Sequence, residues 1–224
     1  MCDNVAAICS HLQQQQHSAP QTLLHVIPPL HSSSSSFTLG PHFVVDAAGS
    51  HWRCTRYVEG SVTLHVISSP SLASSVAAAF GHFSSCMRTF TATLADTIPS
   101  FHHTPRRLAA WQHALHACAL SHRLVESQLY VAFVRQRATR AGELVDAMAS
   151  GRIPTTASHN DAKIGNVLLR AGAATSFVHC FIAAIFTRET DDLSFMCIID
   201  LDTTMQGTPL CVRTSLPHCY FVTV

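Results

Sequence analysis

The sequence reads as an α+β chain, on three observations. Short apolar segments bounded by turn residues fill positions 23–58, and apolar residues recur at helical spacing from about 70 to 149. Two short apolar runs then adjoin loops rich in Asp and Asn, around 159–166 and 198–203. At 224 residues there is enough chain for one large domain or two small ones with a substantial core.

The elements follow in order. Asp3 is placed to cap a helix over 4–16, with Val5, Ile8, Cys9 and Leu12 on one face. The Gln run at 13–16 and the Ser run at 32–36 are low-complexity, and the serines read as a loop. Strands are expected at 23–27, 43–46 and 52–58, the last two joined as a hairpin by Ala48-Gly49, and Glu59-Gly60 is expected to end the sheet. Pro70 opens a helix toward Phe90 that repeats Leu72, Val76, Ala79, Phe80 and Phe83. Thr104-Pro105 opens another to about Leu120, and one long helix is expected over 123–149 with Gly151 as its stop. Ile153-Pro154 leads into a loop, and short strands are expected at 167–169 and 195–199.

Composition removes several function classes. Fourteen Lys plus Arg against thirteen Asp plus Glu leave a net charge of +1, with no electrostatic footprint for nucleic acid or an anionic membrane. Nine irregularly spaced cysteines and no basic-then-apolar leader predict reduced thiols in a cytoplasmic protein. The apolar run 177–186 contains His179 and is too short to cross a bilayer. Among sixteen histidines, His113 and His116 with Cys118 read as a helix-surface cluster rather than a zinc site.

The chemistry concentrates in His159-Asn160-Asp161-Ala162-Lys163-Ile164-Gly165-Asn166, an H-x-D-x-K-x-x-N pattern, and in Ile198-Ile199-Asp200-Leu201-Asp202 downstream. This is the order of residues that phosphoryl transfer requires. One Asp accepts the proton of the attacking hydroxyl, an Asn five residues on turns back toward magnesium, and an acidic group ending another strand completes the metal site. Lys163 is the only lysine of the chain, in the position where a compact ammonium would sit on a phosphate oxygen.

Those two segments resemble the N-acetylhexosamine 1-kinase branch of the aminoglycoside phosphotransferase superfamily. The stretches Trp52-Arg53-Cys54-Thr55-Arg56-Tyr57-Val58-Glu59-Gly60 and Ile98-Pro99-Ser100-Phe101-His102-His103-Thr104-Pro105-Arg106-Arg107 extend the likeness, which covers about 3–207. The resemblance implies a protein-kinase-like fold: an incomplete small β-containing lobe and linker over 1–60, a mainly helical large lobe over 61–210 and an atypical tail over 211–224. It further implies ATP and Mg2+ as cofactors and a sugar as the small-molecule acceptor. By motif, Asp161 would be the catalytic base, Lys163 a phosphate contact, and Asn166 and Asp200 the magnesium ligands. Backbone groups of Tyr57, Val58 and Glu59 would face adenine, His159 would order the loop, and Asp202 would make a supporting or substrate contact.

The chain departs from that family in three respects. It has no second lysine for the α- and β-phosphates and no G-x-G-x-x-G or Walker-type loop. Residues 170–193 read as an insertion between Asn166 and Asp200. After Gly207 the likeness ends. Truncation, mis-splicing and degeneration all fit these gaps. The expected function is therefore an ATP-dependent sugar 1-kinase with impaired activity in this chain; the alternative is a non-catalytic pseudokinase fragment acting as a binding module. An unrelated helical protein would need two ordered coincidences, and no G-x-S-x-G or Cys–His signature supports nucleophilic hydrolysis.

Overall fold

The computed structural model describes residues 1–18, 25–26, 38–40, 42–117, 122–170 and 194–208. Mixed helices and small sheets give the α+β class that the sequence predicts. The chain divides into two compact units, Met1–Thr97 with Thr156–Val224, and Ile98–Thr155. The expected insertion lies outside the described residues apart from Arg170, and the expected tail lies wholly outside them.

In the first unit, helix α1 (Cys2–Ser18) buries Val5, Ile8, Cys9 and Leu12, the face read from the sequence. Asp3 is not its cap; it lies within the first turn, where its charge complements the positive end of the helix dipole. Burial pushes the Cys9 thiol up to about 12, so it behaves as a small hydrophobe. Asn4 is also buried, and its amide clamps Ala95 by donating to the carbonyl (2.8 Å) and accepting from the N–H (2.9 Å).

Helix α2 (Pro70–Cys86) is the second wall of the core. Ser69 caps it by accepting from the Leu72 amide, and proline occupies its first turn, where no N–H is needed. Leu72, Val76, Ala79, Phe80 and Phe83 face inward, and the last turn tightens into a 3-10 helix, Met87–Thr89.

The strands are β1 (His25–Val26), β2 (Thr38–Gly40), β3 (Phe43–Val45), β4 (His51–Trp52), β5 (Ser61–Val62), β6 (Thr156–Ser158), β7 (Val167–Arg170), β8 (Ser194–Ile198) and β9 (Met205–Gly207). They form a four-stranded sheet in the order β1-β8-β7-β5, a three-stranded sheet β2-β3-β4 and a pair β6-β9. Among the described residues only β1 pairs in parallel; the other ladders are antiparallel. Val167, Leu169 and Ile198 are fully buried in the core that the α1 and α2 faces share.

The β3-β4 hairpin forms as expected. Asp46 anchors its turn, accepting from the amides of Ala48 and Ser50 at 2.9 Å and from the Trp52 indole at 2.8 Å, while Gly49 takes φ +80°. The Trp52 bond, with the backbone amides, holds the Asp46 carboxyl below its ordinary range. The expected strand over 52–58 stops at Trp52 instead. Residues 53–57 are exposed and carry only an isolated bridge at Thr55, with no continuous buried face to extend the ladder. Glu59-Gly60 does not end the sheet either: Gly60 turns at φ +68°, and β5 then joins β7.

The second unit is helical. It contains α3 (Thr104–Ala117), α4 (His122–Glu126), α5 (Gln128–Arg137), a 3-10 turn (Ala138–Arg140) and α6 (Glu143–Ala149). The expected end of α3 near Leu120 lies outside the described residues. The single helix expected over 123–149 is broken twice. Ser127 leaves helical geometry (ψ 2°), and Gly142, a poor helix former, follows the 3-10 turn beside the Arg140–Glu143 ion pair. Gly151 is the stop, at φ +71°. Within the helices of this unit only Val131 and Ala147 are buried, so each helix has little apolar burial to resist breaking.

The two units therefore differ in packing. Phe83→Ala should destabilise the chain by about 3–5 kcal/mol, because it opens a cavity among fully buried side chains. Phe133→Ala, at a ring 55% exposed, should cost under about 1 kcal/mol. Urea unfolding of both variants checks the contrast, and comparable losses would contradict this assignment of the core.

Candidate functional site

The loop after β6 is built around a buried histidine. β6 delivers His159 into the core at 2% exposure, with the Phe80 and Phe83 rings edge-on to it at centroid distances of 5.3 and 5.8 Å. Its Nδ1 lies 3.3 Å from the Asp161 N–H, and its Nε2 lies 3.1 Å from the Ile199 carbonyl. An amide can only donate and a carbonyl can only accept, so Nδ1 is the acceptor and Nε2 carries the proton. Desolvation lowers the His159 pKa, outweighing the Ile199 carbonyl and the Asp161 and Asp200 charges that favour the cation. The ring is a neutral strut between the two acidic segments.

Asn160 turns the chain at φ +63°, a left-handed position that Asn tolerates better than most residues. Its amide donates to the carbonyls of Ser158 (3.0 Å) and Thr203 (2.9 Å), and the Thr203 hydroxyl donates to the His159 carbonyl (2.6 Å). Gly207 packs against this turn; a Cβ there would lie 3.1 Å from the Asn160 oxygen.

The turn presents Asp161. Its Oδ2 accepts from the Lys163 ammonium at 2.6 Å and from the Asn166 amide at 3.0 Å, and the same amide nitrogen lies 2.9 Å from the Asp161 carbonyl. Asn166 is buried in a 3-10 turn (Ile164–Asn166), and its carbonyl accepts from the Ile199 N–H at 2.9 Å. That bond extends the β7–β8 ladder, in which Val167 pairs with Ile198 and an irregularity follows between Leu168 and Leu169. Asp200 comes next, at φ +59°, and a 3-10 turn (Leu201–Thr203) carries Asp202.

The predicted site residues thus fall into two neighbouring groups. Asp161, Lys163 and Asn166 are in mutual contact. Tyr57, Val58 and Asp200 line a groove of about 470 Å³ floored by Leu168, Ile198 and Ile199. Asp161, Lys163 and Asn166 are not among the groove's lining residues, and the Ile199–Asn166 hydrogen bond joins the two groups. Glu59 is exposed in the turn before β5 and does not line the groove. Asp202 forms a two-point ion pair with Arg53, one bond from Nη2 to Oδ2 at 2.6 Å and the other from Nη1 to Oδ1. Sequence spacing gave no sign of this pair, whose partners are 149 residues apart.

Asn166 turns its nitrogen toward Asp161, which leaves its Oδ1 as the amide's hard-oxygen donor; Asp200 carries a carboxylate of the same hard-oxygen kind. Among the described residues no three His, Cys, Asp or Glu side chains gather to hold a metal by themselves. None of the described helices is long and apolar enough to cross a membrane. His113 and His116 are exposed on α3, as a helix-surface cluster would be, while Cys118 lies outside the described residues. No protein-family model matches the chain.

A buried neutral histidine makes the fold sensitive to acid. The unfolded chain takes up a proton on His159 near the ordinary value of about 6.5, whereas the folded chain resists until lower pH, so stability is lost as pH falls below about 6.5. His159→Gln cannot titrate. The gap in unfolding free energy between wild type and this variant should therefore narrow between pH 7.5 and 5.5, by up to about 1.4 kcal/mol per pH unit in the lower half of that range. A gap independent of pH would show that His159 is not held neutral.

Proposed function

We propose that the chain is an ATP-dependent phosphotransferase of the sugar 1-kinase type, built for an N-acetylhexosamine-like acceptor and weak as a catalyst. The observation that carries this reading is the contact of Asp161 with both Lys163 and Asn166, in a loop fixed by His159. A carboxylate fixed on a short loop is the group that phosphoryl transfer needs to accept the hydroxyl proton of the acceptor. Lys163, already on that carboxylate, supplies a positive charge for the transferred phosphoryl oxygens. Asn166 Oδ1 and the Asp200 carboxylate would hold Mg2+, which when bound neutralises phosphate charge. Tyr57 and Val58 offer a groove wall of a size suited to adenine.

Catalysis is expected to be weak because Lys163 is the chain's only lysine and is committed to Asp161. A second ammonium for the α- and β-phosphates is lacking, and phosphoryl transfer depends chiefly on positioning and charge neutralisation. The same observation favours the second reading, a non-catalytic relative that binds a nucleotide without turning it over.

Asp161→Asn should leave Mg2+-ATP affinity within about twofold, since the base acts on the acceptor. Asp200→Asn should weaken it by about tenfold or more. Titration of a fluorescent ATP analogue checks the split, and equal losses in both variants would contradict the assigned roles. In a coupled ADP-release assay with N-acetylhexosamines, any turnover should vanish in Asp161→Asn; binding without ADP release would select the second reading.

A further inference from the structure

We infer that Arg53 is a polyphosphate-binding residue of the groove and that Asp202 competes with the phosphates for its guanidinium. The identity of the ligand as a nucleotide rests on the function proposed above; the anion contact itself does not.

A polyphosphate needs cationic donors; the one lysine lies on Asp161 and is not among the groove's lining residues, so the groove's own cations are arginines. Arg53 and Arg56 line the groove together with Tyr57, Val58, Asp200 and Asp202. Arg53 already presents its planar fork to a carboxylate through two parallel bonds, and the same fork geometry matches two phosphate oxygens. The pair is only partly buried, with side chains 33% and 24% exposed, so a ligand in the groove can reach the guanidinium, and an incoming phosphate must displace a bidentate carboxylate to take it. Asp202 would otherwise repel a polyanion entering beside Asp200, and the Arg53 guanidinium removes that obstacle.

Competition makes a prediction that a merely structural ion pair does not. Isothermal titration of the full chain with Mg2+-ATP, adenosine and inorganic tripolyphosphate is the test. Arg53→Met should weaken ATP and tripolyphosphate by about tenfold or more and leave adenosine unchanged. Asp202→Asn should tighten both anions, because it releases the guanidinium. Weaker anion binding in Asp202→Asn, equal loss of adenosine in Arg53→Met, or no tripolyphosphate binding at all would overturn the inference. If ATP binds and Arg53→Met leaves it unchanged, the inference fails while the kinase reading survives. If tripolyphosphate binds through Arg53 but neither ATP nor adenosine binds in preference, the anion site stands and the nucleotide reading falls.

Discussion

The site depends on one buried imidazole. His159 occupies the junction of β6, the α2 face and the end of β8, and its two nitrogens make opposite demands on their partners. Phe80 and Phe83 exclude water from the ring, which keeps it neutral, and neutrality is what lets Nδ1 accept from Asp161 while Nε2 donates to Ile199. A protonated ring would have no acceptor for the Asp161 amide, and the turn that aims the carboxylate would lose its tether.

Around that strut, backbone geometry does the remaining positioning. Asn160 and Asp200 both adopt left-handed conformations, so each acidic segment reverses direction within one residue. Asn166 then links them, with its side chain on Asp161 and its carbonyl on Ile199. Asn4 of α1 reaches the same region from below, clamping Ala95 while its amide nitrogen also lies 3.4 Å from the Thr204 carbonyl. The first helix, the acidic turns and the four-stranded sheet are thereby joined by hydrogen bonds and a shared core. A core substitution in α1 or α2 bears on the site through that structure rather than by contact.

Much of this was legible in the sequence where the signal is local. The α1 and α2 faces follow from 3.6-residue periodicity, and the 43–52 hairpin follows from a Gly-containing turn; the side-chain anchor at Asp46 made it firm. The Asp161–Asn166 contact is local in the same sense, with only four residues between its partners. Long-range terms could not be read. The Arg53–Asp202 pair, the parallel β1–β8 pairing and the β6–β9 pair join segments that no spacing connects. Helix 123–149 misled because continuous helical periodicity says nothing about how much apolar surface will be buried, and with so little burial Ser127 and Gly142 decide the breaks.

The account's central claim is that His159 is neutral, protonated on Nε2, and holds the two acidic segments together. Nitrogen-15 NMR of the imidazoles reports tautomer and charge directly. The expected result is a His159 ring that remains the neutral Nε2–H tautomer as pH falls through the ordinary histidine range around 6.5. A His159 ring that takes up a proton in that ordinary range, or that carries its neutral proton on Nδ1, would contradict the claim and the loop geometry built on it.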